Sequence, residues 1–165
     1  MAKAQYAILR FSKYKGPEIG RIEAHDERTK EKYASNPDVD TSRSALNFHL
    51  IQPEHSYREE AEWQIAEAGC RVRSDSVRLV EVLIAGTPSF FKDKTQEQIK
   101  EYFEHALEFL KQKQRAETFV SAVMHLDEKT PHMHVTFVPL TEDNRLSAKE
   151  TVSYTHLTLP TIYSV

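Results

Sequence analysis

The sequence predicts an α+β domain: an antiparallel or mixed β-sheet with helices packed over its faces. Three observations carry this. Short stretches rich in β-formers recur along the chain, one of them strictly alternating at its start. A single long stretch, Thr95–Arg115, has helical periodicity instead. The last two β-like stretches, Thr118–Leu126 and His132–Leu140, are joined by the short turn Asp127–Pro131. At 165 residues the chain fits one domain with one good core.

In chain order, Lys3–Phe11 alternates and opens the sheet, and a Gly/Pro-bearing loop (KYKGPEIG) follows. Arg21–Ala34 has helical composition with a weak apolar face, until Asn36-Pro37-Asp38 breaks it. Ser44–Ile51 is extended in pattern. Tyr57–Ala68 is a helix stopped by Gly69, and Val77–Ala85 is a mostly buried strand. In Thr95–Arg115, Ile99, Phe103, Ala106, Leu107 and Leu110 recur at helical spacing, and Thr95 with Gln98 makes a capping box. Trp63 and Tyr102 are expected in the core.

Composition narrows the class. The single cysteine, Cys70, rules out an internal disulfide and suits a reducing cytosol. No run is long enough to span a membrane, and the N-terminus has no signal-peptide layout. The net charge of −3 permits a nucleic-acid footprint without advertising one. Residues 1–50 carry nine Lys/Arg against seven Asp/Glu, and 51–150 carry thirteen against eighteen. Residues 151–165 contain no Lys, Arg, Asp or Glu, and resemble a translated sequencing adapter at the end of a truncated reading frame. The expected division is a catalytic domain over 1–150 and a non-native tail over 151–165.

The most informative stretch is His125-Leu-Asp-Glu-Lys-Thr-Pro-His-Met-His134. Residues two apart on a strand share a face, so His132 and His134 point together while Met133, Val135 and Phe137 point away. The short turn returns His125, which shares a face with Val123 and Ser121, opposite His132. Three imidazoles can then converge on one ion. They suit Mn, Fe, Co, Ni, Cu or Zn, and a three-histidine site keeps coordination positions open, the mark of catalytic chemistry. Glu128, in the turn, is placed to be a fourth ligand or a proton acceptor. The alternative is three solvated histidines on an exposed strand face.

A His-x-His metal strand in an antiparallel sheet is the layout of HUH endonucleases, and here the match is closer. His125-Leu-Asp-Glu-x-x-Pro-His-Met-His resembles the metal motif of plasmid mobilisation relaxases of the Mob/Pre (MobV) family. His25-Asp-Glu-Arg28, the Ser42-Arg43-Ser44-x-Leu46-Asn47 stretch and Leu146-Ser-Ala-Lys149 resemble its other motifs, in order. The resemblance implies that His25 is the nucleophile and that Arg28 faces the same phosphate. It implies a divalent ion, Mn2+ first and Mg2+ as the alternative, on His125, His132 and His134, with Glu128 completing or orienting the site. Ser42, Arg43, Ser44, Asn47 and Lys149 become candidates for DNA contact. The implied activity is site- and strand-specific nicking and joining of DNA at a plasmid transfer origin, through a covalent 5′-phosphohistidine. The implied partners are that origin, single-stranded or locally melted, and a coupling protein or secretion apparatus in a bacterial cytoplasm.

Two other enzymes compete. A rolling-circle replication initiator shares the chemistry, but it places a tyrosine nucleophile on a helix after the His-x-His strand, where this chain offers only the tail. A cupin-like metalloenzyme also uses His-x-His with Glu, but the long helix and only four glycines disfavour a double-sheet roll. A non-catalytic DNA-binding module with a structural metal would be indifferent to the loss of His25.

Overall fold

The computed structural model describes residues 7–27, 47–126 and 130–151. Strand β1 (Ala7–Tyr14) leads through a 3-10 turn (Gly16–Glu18) into helix α1 (Ile19–Asp26). After it come β2 (Phe48–Ile51), α2 (Tyr57–Ala68), β3 (Leu79–Gly86), the single turn α3 (Pro88–Phe91) and α4 (Gln96–Lys113). A second 3-10 turn (Ala116–Thr118), β4 (Phe119–His125), β5 (His132–Phe137) and the short α5 (Ala148–Thr151) complete the order.

The five strands form one sheet in the order β1-β3-β5-β4-β2, with every pair antiparallel. Its two faces bury different things. On one face Val80, Val82 and Ile84 of β3, Ala122 and Met124 of β4, and Met133, Val135 and Phe137 of β5 pack with Phe90 and Phe91 of α3 and the apolar stripe of α4. That stripe is Ile99, Tyr102, Phe103, Ala106, Leu107 and Leu110, and the Thr95–Gln98 capping box closes both ways at its start. On the other face Ile19 of α1 and Tyr57, Ala61 and Ile65 of α2 pack with Leu79, Val120, Val138 and Leu140. This second face is polar where it matters, and it carries the site.

Most elements match the sequence reading, with informative shifts. Helix α2 has the expected bounds: the Ser56 hydroxyl accepts from the Glu59 N–H, and Gly69 ends it in the left-handed conformation at φ 64°. Strand β1 runs on to Tyr14, so Lys13 and Tyr14 of the expected loop are strand, held in register with β3 as far as Leu79. Helix α1 starts at Ile19, inside that same expected loop, and ends at Asp26; the remainder of the helix expected to Ala34 lies outside the described residues. The turn α3 was not expected from sequence.

Trp63 corrects an expectation: it is 63% exposed, whereas Tyr102 is buried. The buried positions of α2 are Tyr57, Ala61, Gln64 and Ile65. They form one stripe, and residue 63 lies roughly half a turn away from residue 61.

Candidate metal and nucleophile site

Register builds the site. His132 pairs with His125, and His134 with Val123, across β4 and β5. Both His-x-His side chains therefore stand on the α1/α2 face, with His125 beside them, and the alternative of a solvated cluster fails. Their exposures are 0%, 9% and 6% for His125, His132 and His134. The ring centroids are 5.2 Å apart for His125 and His132, 4.6 Å for His125 and His134, and 5.0 Å for His132 and His134. One ligand atom from each lies within 4.8 Å of the others, which suits a single ion.

The second nitrogen of each ring is already occupied, and this selects the ligand atom. A carbonyl oxygen can only accept, so the nitrogen facing one carries the proton. His132 Nδ1 donates to the Thr130 carbonyl at 3.0 Å, which leaves Nε2 with the lone pair. His125 Nε2 donates to the Asp26 carbonyl at 2.7 Å, which leaves Nδ1. His134 Nδ1 lies 2.8 Å from Glu81 Oε1 and 3.3 Å from Asp26 Oδ1, which leaves Nε2. That His134 Nε2 is buried with no hydrogen-bond partner. Three lone pairs thus face one space, each held by an outer partner, as metal-ligating histidines require.

Glu81 and Asp26 were missed in the sequence reading. Glu81 sits in the middle of β3, opposite Thr136, and is buried. Burial opposes its ionisation, but the hydrogen bond and charge of His134, then Asp26 and His25, hold its carboxyl below the usual range. The signal was a lone acid in an otherwise apolar strand (Leu-Val-Glu-Val-Leu-Ile). Glu81→Gln weakens the acceptor for His134 without changing its shape. Mn2+ affinity should fall about 10- to 100-fold by titration calorimetry; an unchanged affinity means that Glu81 does not orient the ligand.

His25 lies in the last turn of α1. Its ring centroid is 5.5 Å from that of His134 and 6.1 Å from that of His125, so the fourth imidazole borders the cage. The His125–Asp26 bond does two things here. It satisfies a backbone carbonyl at the end of α1, and it places residue 25 next to His125. Glu27, at the C-cap, accepts from the Tyr57 hydroxyl at 2.6 Å and meets His49 Nε2 at 2.7 and 3.0 Å. Burial would raise the Glu27 pKa, but these hydrogen bonds and the His49 charge outweigh it and hold the carboxyl below its ordinary value.

The other expected residues divide. Asn47 Oδ1 accepts from the Leu126 N–H at 2.6 Å, tying the end of β4 beside the histidines. Lys149 is exposed on α5. Arg28, Ser42, Arg43, Ser44 and Glu128 lie outside the described residues.

A single antiparallel sheet carrying a buried, three-histidine cage with a further histidine at its rim defines the HUH class, and leaves no room for a cupin roll. Within that class, the chain belongs to the Mob_Pre family of plasmid recombination enzymes, whose model matches residues 3–158. It is 38% identical over 152 residues to a type 3 plasmid recombination enzyme of Staphylococcus aureus, and 39% identical over 150 residues to a type 1 enzyme of the same species. The match to the type 3 enzyme takes in 89% of this chain and 37% of the relative, so the chain spans little more than a third of the curated proteins it resembles. Among solved structures it is similar to the MobM relaxase domain bound to plasmid pMV158 oriT DNA, in an Mn-bound crystal form at pH 6.8. The TM-score is 0.82 at 32% identity, over 87% of this chain and 75% of that one. A second such complex, at pH 4.6, gives 0.81 at 29% identity, over 92% and 79%.

Proposed function

We propose that this chain is the catalytic domain of a plasmid mobilisation relaxase, which nicks and rejoins one DNA strand at a transfer origin through His25. The observation that carries the reading is His25, 5.5 Å and 6.1 Å in ring centroids from two of the three cage histidines. The Mn-bound, oriT-bound MobM domain supports the same choice of metal and substrate.

The ligands are His125 through Nδ1, and His132 and His134 through Nε2. Mn2+ is the favoured ion and Mg2+ the alternative. When bound, such an ion supplies Lewis-acid stabilisation of charge on the non-bridging oxygens of the scissile phosphate. The chain does the rest. The neutral imidazole of His25 attacks phosphorus; the N–P bond forms as the P–O3′ bond breaks. The proton lost from the imidazole ends on the departing 3′-oxygen, with Glu128 placed by the sequence motif to carry it. Arg28 supplies a bidentate clamp on the phosphate. The phosphohistidine keeps the phosphoryl group activated, so an incoming 3′-hydroxyl reverses the step and reseals the strand.

Ser42, Arg43, Ser44, Asn47 and Lys149 are assigned to DNA contact, where backbone contacts position the strand and base contacts choose it. The substrate is a single-stranded or locally melted origin, and a coupling protein or secretion apparatus takes the product. The site of action is the bacterial cytoplasm. No helix among the described residues is long and apolar enough to cross a membrane. The catalytic unit is assigned to 1–150; the family match itself runs to residue 158.

The test uses a random-sequence pool of single-stranded oligonucleotides with Mn2+. A covalent protein–DNA adduct on a denaturing gel, labile to acid as a P–N bond is and mapping to the His25 peptide, is the expected result. The DNA captured in it gives the recognised sequence. An acid-stable adduct mapping to a tyrosine overturns the assignment.

A further inference from the structure

Helix α1 is only eight residues long, too short to hold its own position, so its anchors decide where His25 points. One anchor is the cage itself, through His125 and the Asp26 carbonyl. Another is independent of the cage and converges on one residue, Tyr57, which is fully buried at the start of α2. Its backbone N–H donates to Glu23 Oε1 at 3.0 Å, and its hydroxyl donates to Glu27 Oε2 at 2.6 Å. Glu23 and Glu27 are four residues apart and lie on one face of α1. Tyr57 therefore grips that helix at two points, one turn apart, and His25 sits between them on the other side.

The grip is itself braced. The Tyr57 hydroxyl is 3.0 Å from Ser121 Oγ in β4. Ser121 faces Thr136 in the strand pairing, and Thr136 faces Glu81. His49 of β2 holds the other oxygen of Glu27. Two elements that carry no cage ligand, β2 and α2, thus meet Ser121 of β4 at the carboxylate two residues after His25.

We propose that Tyr57 is a positioning residue for the His25 imidazole: by holding Glu23 and Glu27 it sets the angle from which His25 approaches the phosphate, independently of the metal cage. This deepens the relaxase reading and rests on it. Tyr57 touches neither metal ligand nor DNA phosphate in this scheme; it acts through α1. Displacement of a reacting group by about 1 Å can slow a reaction about 100-fold, so loss of one grip point is felt in the chemical step.

The two anchors make opposite demands on experiment. Tyr57→Phe keeps the ring and the backbone N–H and removes only the hydroxyl. The single-turnover rate of adduct formation should fall about 10- to 100-fold, while Mn2+ affinity and oligonucleotide affinity stay at wild-type values. Glu27→Ala should behave alike, and Glu27→Gln, which retains an acceptor, should recover most of the rate. Combined with Glu27→Ala, Tyr57→Phe should add nothing, because both remove the same bond. A wild-type rate in Tyr57→Phe overturns the proposal, as does a metal affinity that falls in step with the rate.

A readout without catalysis separates this from the relaxase reading. In the metal-free protein, long-range 1H–15N spectra of the histidine rings should show His25 shifted in Tyr57→Phe and His132 unmoved. If the wild-type protein forms no adduct at all, the relaxase reading fails, and the spectra still decide: unchanged His25 signals overturn the clamp.

Discussion

His25→Ala should abolish the covalent protein–DNA adduct, slowing its formation by at least about a thousandfold, because nothing else replaces a lost nucleophile. The same variant should bind Mn2+ as wild type does. The three cage rings are oriented by Thr130, Asp26 and Glu81, and two of those contacts are to backbone carbonyls. None depends on the side chain at position 25. His25 is half-buried at the rim of the sheet face, so its truncation leaves a solvent-accessible gap and little instability. The check is a denaturing gel beside a metal titration on one preparation. An adduct that survives in His25→Ala moves the nucleophile elsewhere, and loss of metal binding makes His25 a ligand instead.

His134→Ala should give the reverse pattern and a larger structural effect. His134 is the histidine held by two buried carboxyls, Glu81 at 2.8 Å and Asp26 at 3.3 Å. Removing it deletes a ligand and also leaves two acids buried without their partner. Breaking such a pair costs about 3–5 kcal/mol in comparable sites. The direct readout is stabilisation by metal. Wild type should gain about 2.7 kcal/mol when Mn2+ is present at 100 times its Kd, and the variant should gain none. Thermal unfolding with and without Mn2+ measures both quantities at once. Full metal stabilisation of His134→Ala would show that the cage lies elsewhere; a variant as stable as wild type would show that the Glu81–His134 contact does not matter.

The pairing of these two variants separates what each histidine does. One set of imidazoles is held from behind and presents lone pairs inward. The other imidazole lies on a separate helix and is held by that helix's anchors. The candidate metal site and the candidate nucleophile share one support, the bond from His125 to the Asp26 carbonyl, but neither variant removes it, so the two roles can be tested one at a time.

Local pattern was enough for much of the architecture. The bounds of α2 followed from Ser56 and Gly69, and the start of α4 from the Thr95–Gln98 box, because capping is a matter of three or four neighbouring residues. The face shared by His132 and His134 followed from the two-residue period of a strand. Their union with His125 followed from the brevity of the turn, since a short connection between adjacent strands leaves only an antiparallel return. Trp63 shows where composition misleads. A lone tryptophan suggests core, yet the phase of its helix places it outward.

What sequence could not supply were contacts made across the sheet order. Glu81 is 53 residues from His134, and becomes its neighbour only because β3 inserts between β1 and β5. Tyr57 is 30 residues from Glu27, and they meet because α1 and α2 cover one face together. Such pairings depend on which strand lies next to which, and no periodicity in one segment encodes that choice. The sequence alone therefore pointed to the candidate ligands, to the motif of the candidate nucleophile and to the face on which three histidines gather. Only the tertiary structure decided which nitrogen of each ring is left for a metal, which acids stand behind them, and how α1 is held so that His25 borders the cage. Ligand identity is a local property of side chains, whereas orientation is set by partners that the chain brings together from far away.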